Sequence, residues 1–159
     1  MRVFYELEEN EYLMAKACKS AEEKGKLINA YNLIQKDCEK SLEEMKYGLV
    51  CPAEAILSAS TYKNISEIIP KNNIVVDCGC HIGLQQVFFN EHKKYIGIDI
   101  RDVFIPISDN AEFICGDIIE VLPKLEIDNN YYGISVLCGS VWENVGKAIK
   151  EKFNHIILV

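Results

Sequence analysis

The chain has no apolar run approaching the ~18 residues a membrane-crossing helix needs, so a bilayer-spanning role is not expected. It also has no C-x-x-C pair: five of its seven cysteines stand alone, and Cys78 and Cys80 stand one residue apart beside glycine. An odd count without paired spacing implies neither a disulfide framework nor a zinc site, so no metal is expected. Scattered thiols suit a reducing, cytoplasmic location. A basic excess is missing too. The 17 basic residues are outnumbered by 24 acidic ones, giving a net charge of −7. That balance argues against broad nucleic-acid affinity, because neutralising phosphates takes a basic face. The opening MRVFYELEENEY turns acidic within a few residues and does not read as a signal peptide. Internal repeats and low-complexity tracts are lacking as well.

What is present is an ordinary globular composition, 49% hydrophobic and 26% charged. At 159 residues the chain is long enough to bury roughly 70% of the surface its unfolded form exposes. Residues 1–70 read as a helical extension or lid, and 71–159 as the main domain. Helical periodicity runs from Glu9 to Glu23 and from Lys26 to Lys46, with Gly25 as the expected joint. In the second segment Leu27, Tyr31, Ile34, Cys38, Leu42 and Met45 form one apolar stripe. The repeat is too short to insist on supercoiling, so packing on its own domain is expected over a coiled-coil dimer. RVFYEL, residues 2–7, reads as a short strand with Val3, Tyr5 and Leu7 on one face. After a break at Gly48, Cys51-Pro52 opens a short helix over 53–58, and another runs from Tyr62 to Ile69 before Pro70.

From residue 74 the pattern alternates. Strands are expected at 74–78, 95–99, 112–115, 132–138 and 155–159. Helices are expected near 83–91, 118–122 and 142–152, with 100–111 mostly loop. Strands separated by helices mean βαβ units, a parallel sheet and right-handed crossovers. The near-continuous apolar runs IVVD, YIGID, GISVL and IILV fit strands covered on both faces.

VVDCGCHIG, at the end of the first strand, carries the chemistry. Glycines at 79 and 83 let a ligand approach the main chain where backbone N–H groups open a helix. This is not the dinucleotide fingerprint G-x-G-x-x-G, because the glycines stand four apart and an acid, Asp77, precedes them. The second strand ends in Asp99, where a carboxylate can accept both hydroxyls of a ribose. The third ends FICGD, so Asp117 can accept from an amino group. For each acid the plainer alternative is a helix cap or a loop residue at the sheet's end.

With VVDCGCHIG, YIGIDI and FICGDIIEVLP in register, residues ~70–159 resemble the class I S-adenosylmethionine-dependent methyltransferases. The resemblance implies an α/β fold: a Rossmann-like doubly wound, mostly parallel five-stranded sheet of order 3-2-1-4-5 with an N-terminal helical extension. It implies S-adenosyl-L-methionine as cofactor. It puts Asp77, Gly79 and Gly83 around the methionine part, Asp99 on the ribose, and Asp117 with Ile118 against the adenine. Cys80, His81, Ile100 and Cys138 complete the expected cofactor-binding set. The methyl acceptor, itself unidentified, is expected near Cys138, Gly139, Ser140 and Trp142, and no catalytic residue is assigned.

Two departures stand out. His81 replaces the family's middle loop glycine and is read as a structural side chain in preference to a catalytic base. The chain also stops on the strand IILV, without the family's closing helix and hairpin. That leaves an edge to be covered either by RVFYEL or by a second copy in a homodimer. LCGSVW stands where amino-methylating DNA and RNA enzymes carry an acid or amide before Pro-Pro-aromatic, which disfavours a nucleobase amine as acceptor. Beside an active methyltransferase, the departures keep open a catalytically inactive cofactor-binding domain with a regulatory or interaction role. A dinucleotide-linked oxidoreductase is disfavoured by the glycine spacing.

Overall fold

Five short runs rich in Val, Ile and Tyr form the strands: β1 (Ile74–Cys78), β2 (Lys94–Asp99), β3 (Ala111–Cys115), β4 (Tyr131–Ser135) and β5 (His155–Leu158). The structure is a computed structural model describing residues 2–43, 59–136, 139 and 142–159. The strands lie in one sheet of order β3-β2-β1-β4-β5, and every neighbouring pair is parallel. The chain therefore leaves β1 on one side through β2 and β3, then returns to β4 on the other. Order reverses between β1 and β4, and the crevice outside that point is where open α/β sheets bind ligands.

Both faces are covered, as the apolar strands require. On one face Val75, Tyr95 and Ile134 join a core with α1 (Arg2–Ala17), α2 (Ala21–Glu43), α3 (Ala59–Ile68) and the 3₁₀ helix Leu84–Phe89. On the other, Ile74, Val76, Cys78, Ile96 and Ile98 pack against α4 (Ile118–Val121) and α5 (Glu143–Lys152). The strand period of two sends alternate β1 side chains to opposite cores. From the α2 stripe, Leu27, Tyr31 and Ile34 are buried in the first core beside Met14, so α2 packs on its own domain. Truncating the fully buried Leu27 to alanine is worth about 2–5 kcal/mol of lost stability.

The N-terminal segment differs from its sequence reading. RVFYEL is not a strand but the first turns of α1. Three alternating apolar residues are too few to outweigh the helix-forming run EENEYLMAKA behind them. As a helix it adds no strand to the sheet. The break between α1 and α2 falls at Cys18–Ser20, and Gly25 lies inside α2 with open space around it. Ser20 supplies the stop and start: its Oγ accepts from the Glu23 N–H at 3.1 Å, the first half of an S-x-x-E capping box. The Glu23 side chain does not close the box. It accepts instead from Asn90 Nδ2 at 2.6 Å, and the same amide donates to Ala17 O at 2.8 Å. One asparagine thus fastens the α1–α2 joint to the 3₁₀ helix.

Three smaller differences follow. The helix expected at 83–91 is the tighter 3₁₀ helix over Leu84–Phe89, β4 ends at Ser135, and the sheet is wholly parallel. The Gly48 break, Cys51-Pro52, the helix at 53–58 and Met45 of the α2 stripe lie outside the described residues.

Candidate functional site

A cavity of about 350 Å³ opens at the carboxyl ends of the central strands. It is lined by Gly79 after β1, Asp99, Ile100 and Arg101 after β2, Gly116, Asp117, Ile118 and Ile119 after β3, and Trp142, Asn144 and Val145 at the start of α5. Six residues singled out from the sequence meet here: Gly79, Asp99, Ile100, Asp117 and Ile118 from the expected cofactor set, and Trp142 from the expected acceptor side. The volume lies at the small end for a ligand pocket.

Asp99 is the polar centre. Its side chain is 5% exposed. Its Oδ2 accepts from the His81 N–H at 2.8 Å, while Oδ1 accepts from the Arg101 N–H at 2.9 Å and from Arg101 Nε at 3.2 Å. Burial opposes ionisation. The two backbone N–H groups and the guanidinium outweigh it, so this carboxyl titrates below its ordinary value. A carboxylate has about four lone-pair positions, which leaves capacity for a further donor. Asp117 does two things: it lines the cavity and caps α4, its Oδ1 accepting from the Ile119 N–H at 2.9 Å. Exposed Ile100, Ile119 and Trp142 make an apolar rim around these acids.

The remaining loop residues are elsewhere. Asp77 is fully buried beneath the loop, where its Oδ2 accepts from Tyr95 Oη at 2.6 Å and from Gln85 Nε2 at 2.8 Å. Burial pushes its carboxyl up to about 6, against hydrogen bonds that pull the other way and with repulsion from Asp99 adding to the rise. Cys80 is buried, with its sulfur packed against Gly97, and burial raises its thiol far above the ordinary range. It is an inert packing residue.

His81 takes a left-handed φ of 53°, between Gly79 at 86° and Gly83 at 79°. Its backbone serves Asp99 while its ring Nδ1 is buried without a hydrogen-bond partner. Burial first, and Arg101 second, hold the imidazole's pKa below its ordinary value. Gly83 does not face the cavity. A Cβ there would come within 2.2 Å of the Phe104 ring, which stacks on Phe113 at 5.0 Å. Cys138 lies outside the described residues.

Sequence reasoning assigned no role to Gln85, Gln86, Tyr95, Arg101 or Asn144. Gln86 is fully buried and saturates its amide: Nε2 donates to Gly83 O and Ile105 O, both at 2.8 Å. Its Oε1 accepts from the Ile107 and Ser108 N–H groups at 2.7 and 2.8 Å. With the Ile105 N–H on Ile82 O at 2.9 Å, these bonds weld the segment after β2 onto the glycine loop. A signal was present. Two adjacent glutamines inside LQQVFF must find partners if that helix is buried.

A parallel sheet of order 3-2-1-4-5, helices on both faces and a cavity at its carboxyl edge define a Rossmann-like α/β protein. Among solved structures the chain is similar to precorrin 8W decarboxylase from Methanobacterium thermoautotrophicum, with a TM-score of 0.51 and 20% identity. That match covers 62% of this chain and 61% of the other, so the chain spans about three-fifths of that protein's length. It is less similar to the bifunctional kinase-methyltransferase WbdD, with a TM-score of 0.46, 20% identity and coverage of 69% and 29%. The plantazolicin methyltransferase BpumL, solved with a monoazolic desmethylPZN analog and SAH, gives a TM-score of 0.47 and 18% identity over 99% of this chain and 62% of that one. No family model and no curated protein matches the chain.

Proposed function

We propose that the chain binds S-adenosyl-L-methionine and transfers its methyl group to an acceptor. The observation carrying this is Asp99: a nearly buried carboxylate at the end of β2, on the floor of a nucleoside-sized cavity shared with Gly79, Ile100, Asp117 and Ile118. The donor set fits the cofactor's nucleoside. Asp99 offers acceptor positions suited to a vicinal diol, Asp117 Oδ2 suits an amino group, and Ile100, Ile118 and Ile119 supply apolar walls for a flat base. When bound, the cofactor supplies an electrophilic methyl group for in-line displacement. The chain's own work is then to bind and orient, which suits a site rich in positioning groups. The acceptor is a small molecule or a site on a protein or RNA.

A second reading is a cofactor-binding domain without turnover, acting as a regulator or assembly partner. The Phe104 ring over Gly83 favours it, because it covers a loop glycine that the resemblance puts beside the cofactor's methionine part.

Titration calorimetry tests both. S-adenosylmethionine and S-adenosylhomocysteine are expected to bind, and Asp99→Ala and Asp99→Asn to weaken each by tenfold or more. Binding of a nicotinamide dinucleotide in their place would sink the proposal. Binding without methyl transfer across a broad acceptor panel would select the second reading.

A further inference from the structure

The residues expected around the two halves of the cofactor have separated in space. Those expected at the nucleoside, Asp99, Asp117 and Ile118, all line the cavity, with Ile100 of the cofactor set beside them. Of the loop residues expected at the methionine half, only Gly79 does so. Asp77 is sealed beneath the loop, its Oδ2 occupied by Tyr95 and Gln85. Gly83 is capped by Phe104, whose segment is held down by the Gln86 amide. The His81 N–H is already given to Asp99, and Cys80 is buried against Gly97. Among the described residues the cavity continues instead towards α5, where Trp142, Asn144 and Val145 line it.

We infer that this site binds by the nucleoside, and that the amino-acid half of the ligand adds little to affinity. The inference rests on the cofactor reading above and narrows it: the ligand class is a 6-aminopurine nucleoside, with the 5′ substituent secondary. The physical reason is preorganisation. Groups on the nucleoside side are fixed and presented to the cavity, so little ordering is spent there on binding. On the other side, the Gly79, Cys80, His81 and Gly83 N–H groups and Asp77 Oδ2 are already engaged internally, and a ligand would have to break those bonds to use them.

The experiment is calorimetry on the full chain with S-adenosylhomocysteine, 5′-methylthioadenosine, adenosine and free methionine. Methylthioadenosine is expected within tenfold of S-adenosylhomocysteine, with no saturation by methionine at millimolar concentration. Asp99→Asn is expected to weaken S-adenosylhomocysteine, methylthioadenosine and adenosine by the same factor, because all three present the same ribose. A preference above tenfold for S-adenosylhomocysteine over methylthioadenosine overturns the inference while leaving the cofactor reading standing. No binding by any adenosine ligand removes both.

Discussion

The backbone N–H of His81 donates to Asp99 Oδ2 at 2.8 Å, tying the glycine loop to the end of β2. The contact belongs to the main chain and not to the imidazole. The one histidine placed among the loop glycines thus holds the site's central acid through an atom every residue but proline possesses.

His81→Gly should therefore leave that contact in place. A left-handed φ of 53° costs a side-chain-bearing residue about 1–2 kcal/mol, less for histidine than for a branched residue. Glycine removes that strain and adds roughly 0.5–1 kcal/mol of unfolded-state entropy. The variant is expected within about 1 kcal/mol of wild type in urea denaturation. Its affinity for S-adenosylhomocysteine should stay within about tenfold, or ~1.4 kcal/mol. His81→Val should destabilise clearly. A greater loss of affinity in the glycine variant would make the imidazole part of the site.

Asp77 sets a pH dependence of unusual sign. Its folded value of about 6 lies above the ordinary 3.8, because burial disfavours the charged form. Between those values the folded chain keeps a proton the unfolded chain has released. The group's contribution is greatest below pH 4, falls as pH rises through about 6, and stays low at neutrality. A shift of this size corresponds to about 3 kcal/mol. Asp77→Asn keeps a carbonyl acceptor for Tyr95 and Gln85 without the buried charge. It should be more stable than wild type at pH 7 by about 1–3 kcal/mol, with the gap closing towards pH 4. Denaturation midpoints measured from pH 4 to 8 decide it. Asp99 runs the other way: held below its ordinary value, it contributes at neutrality and loses that contribution only on stronger acidification.

Gln86→Leu tests the weld between the glycine loop and the segment after β2. Leucine conserves volume but strands the Ile105 carbonyl and two N–H groups, Ile107 and Ser108, while Gly83 O keeps the Gln86 backbone N–H at 3.1 Å. At about 1–3 kcal/mol for each buried group left unmet, a loss above ~3 kcal/mol is expected. Gln86→Glu keeps both acceptor contacts but loses both donations and buries a charge against the Gly83 and Ile105 carbonyls, so it too should lose stability, more at neutral than at acid pH. Urea midpoints that do not separate the three proteins would mean the segment is held by Phe104 packing alone.

The sheet was legible because its strands are short β-branched runs separated by glycine and polar loops. That pattern survives burial on both faces. Asp99 and Asp117 were legible because strand ends place acids at one edge whatever the helices do. Two kinds of feature were not. RVFYEL carries too few residues to separate the strand period from the helix period, and helix formers downstream decided it. The fate of Asp77 and Gly83 depends on Tyr95, Gln85 and Phe104, contacts across 8 to 21 positions that no local motif encodes. A motif states which backbone positions meet; it does not state which neighbours reach them first.

Trp142 is the chain's single tryptophan, 61% exposed, and it stands on the wall of the cavity. The chain's indole fluorescence therefore comes from one place, beside Asn144 at the start of α5. No label or second tryptophan has to be removed to read it. The protein carries its own optical gauge of what enters the site.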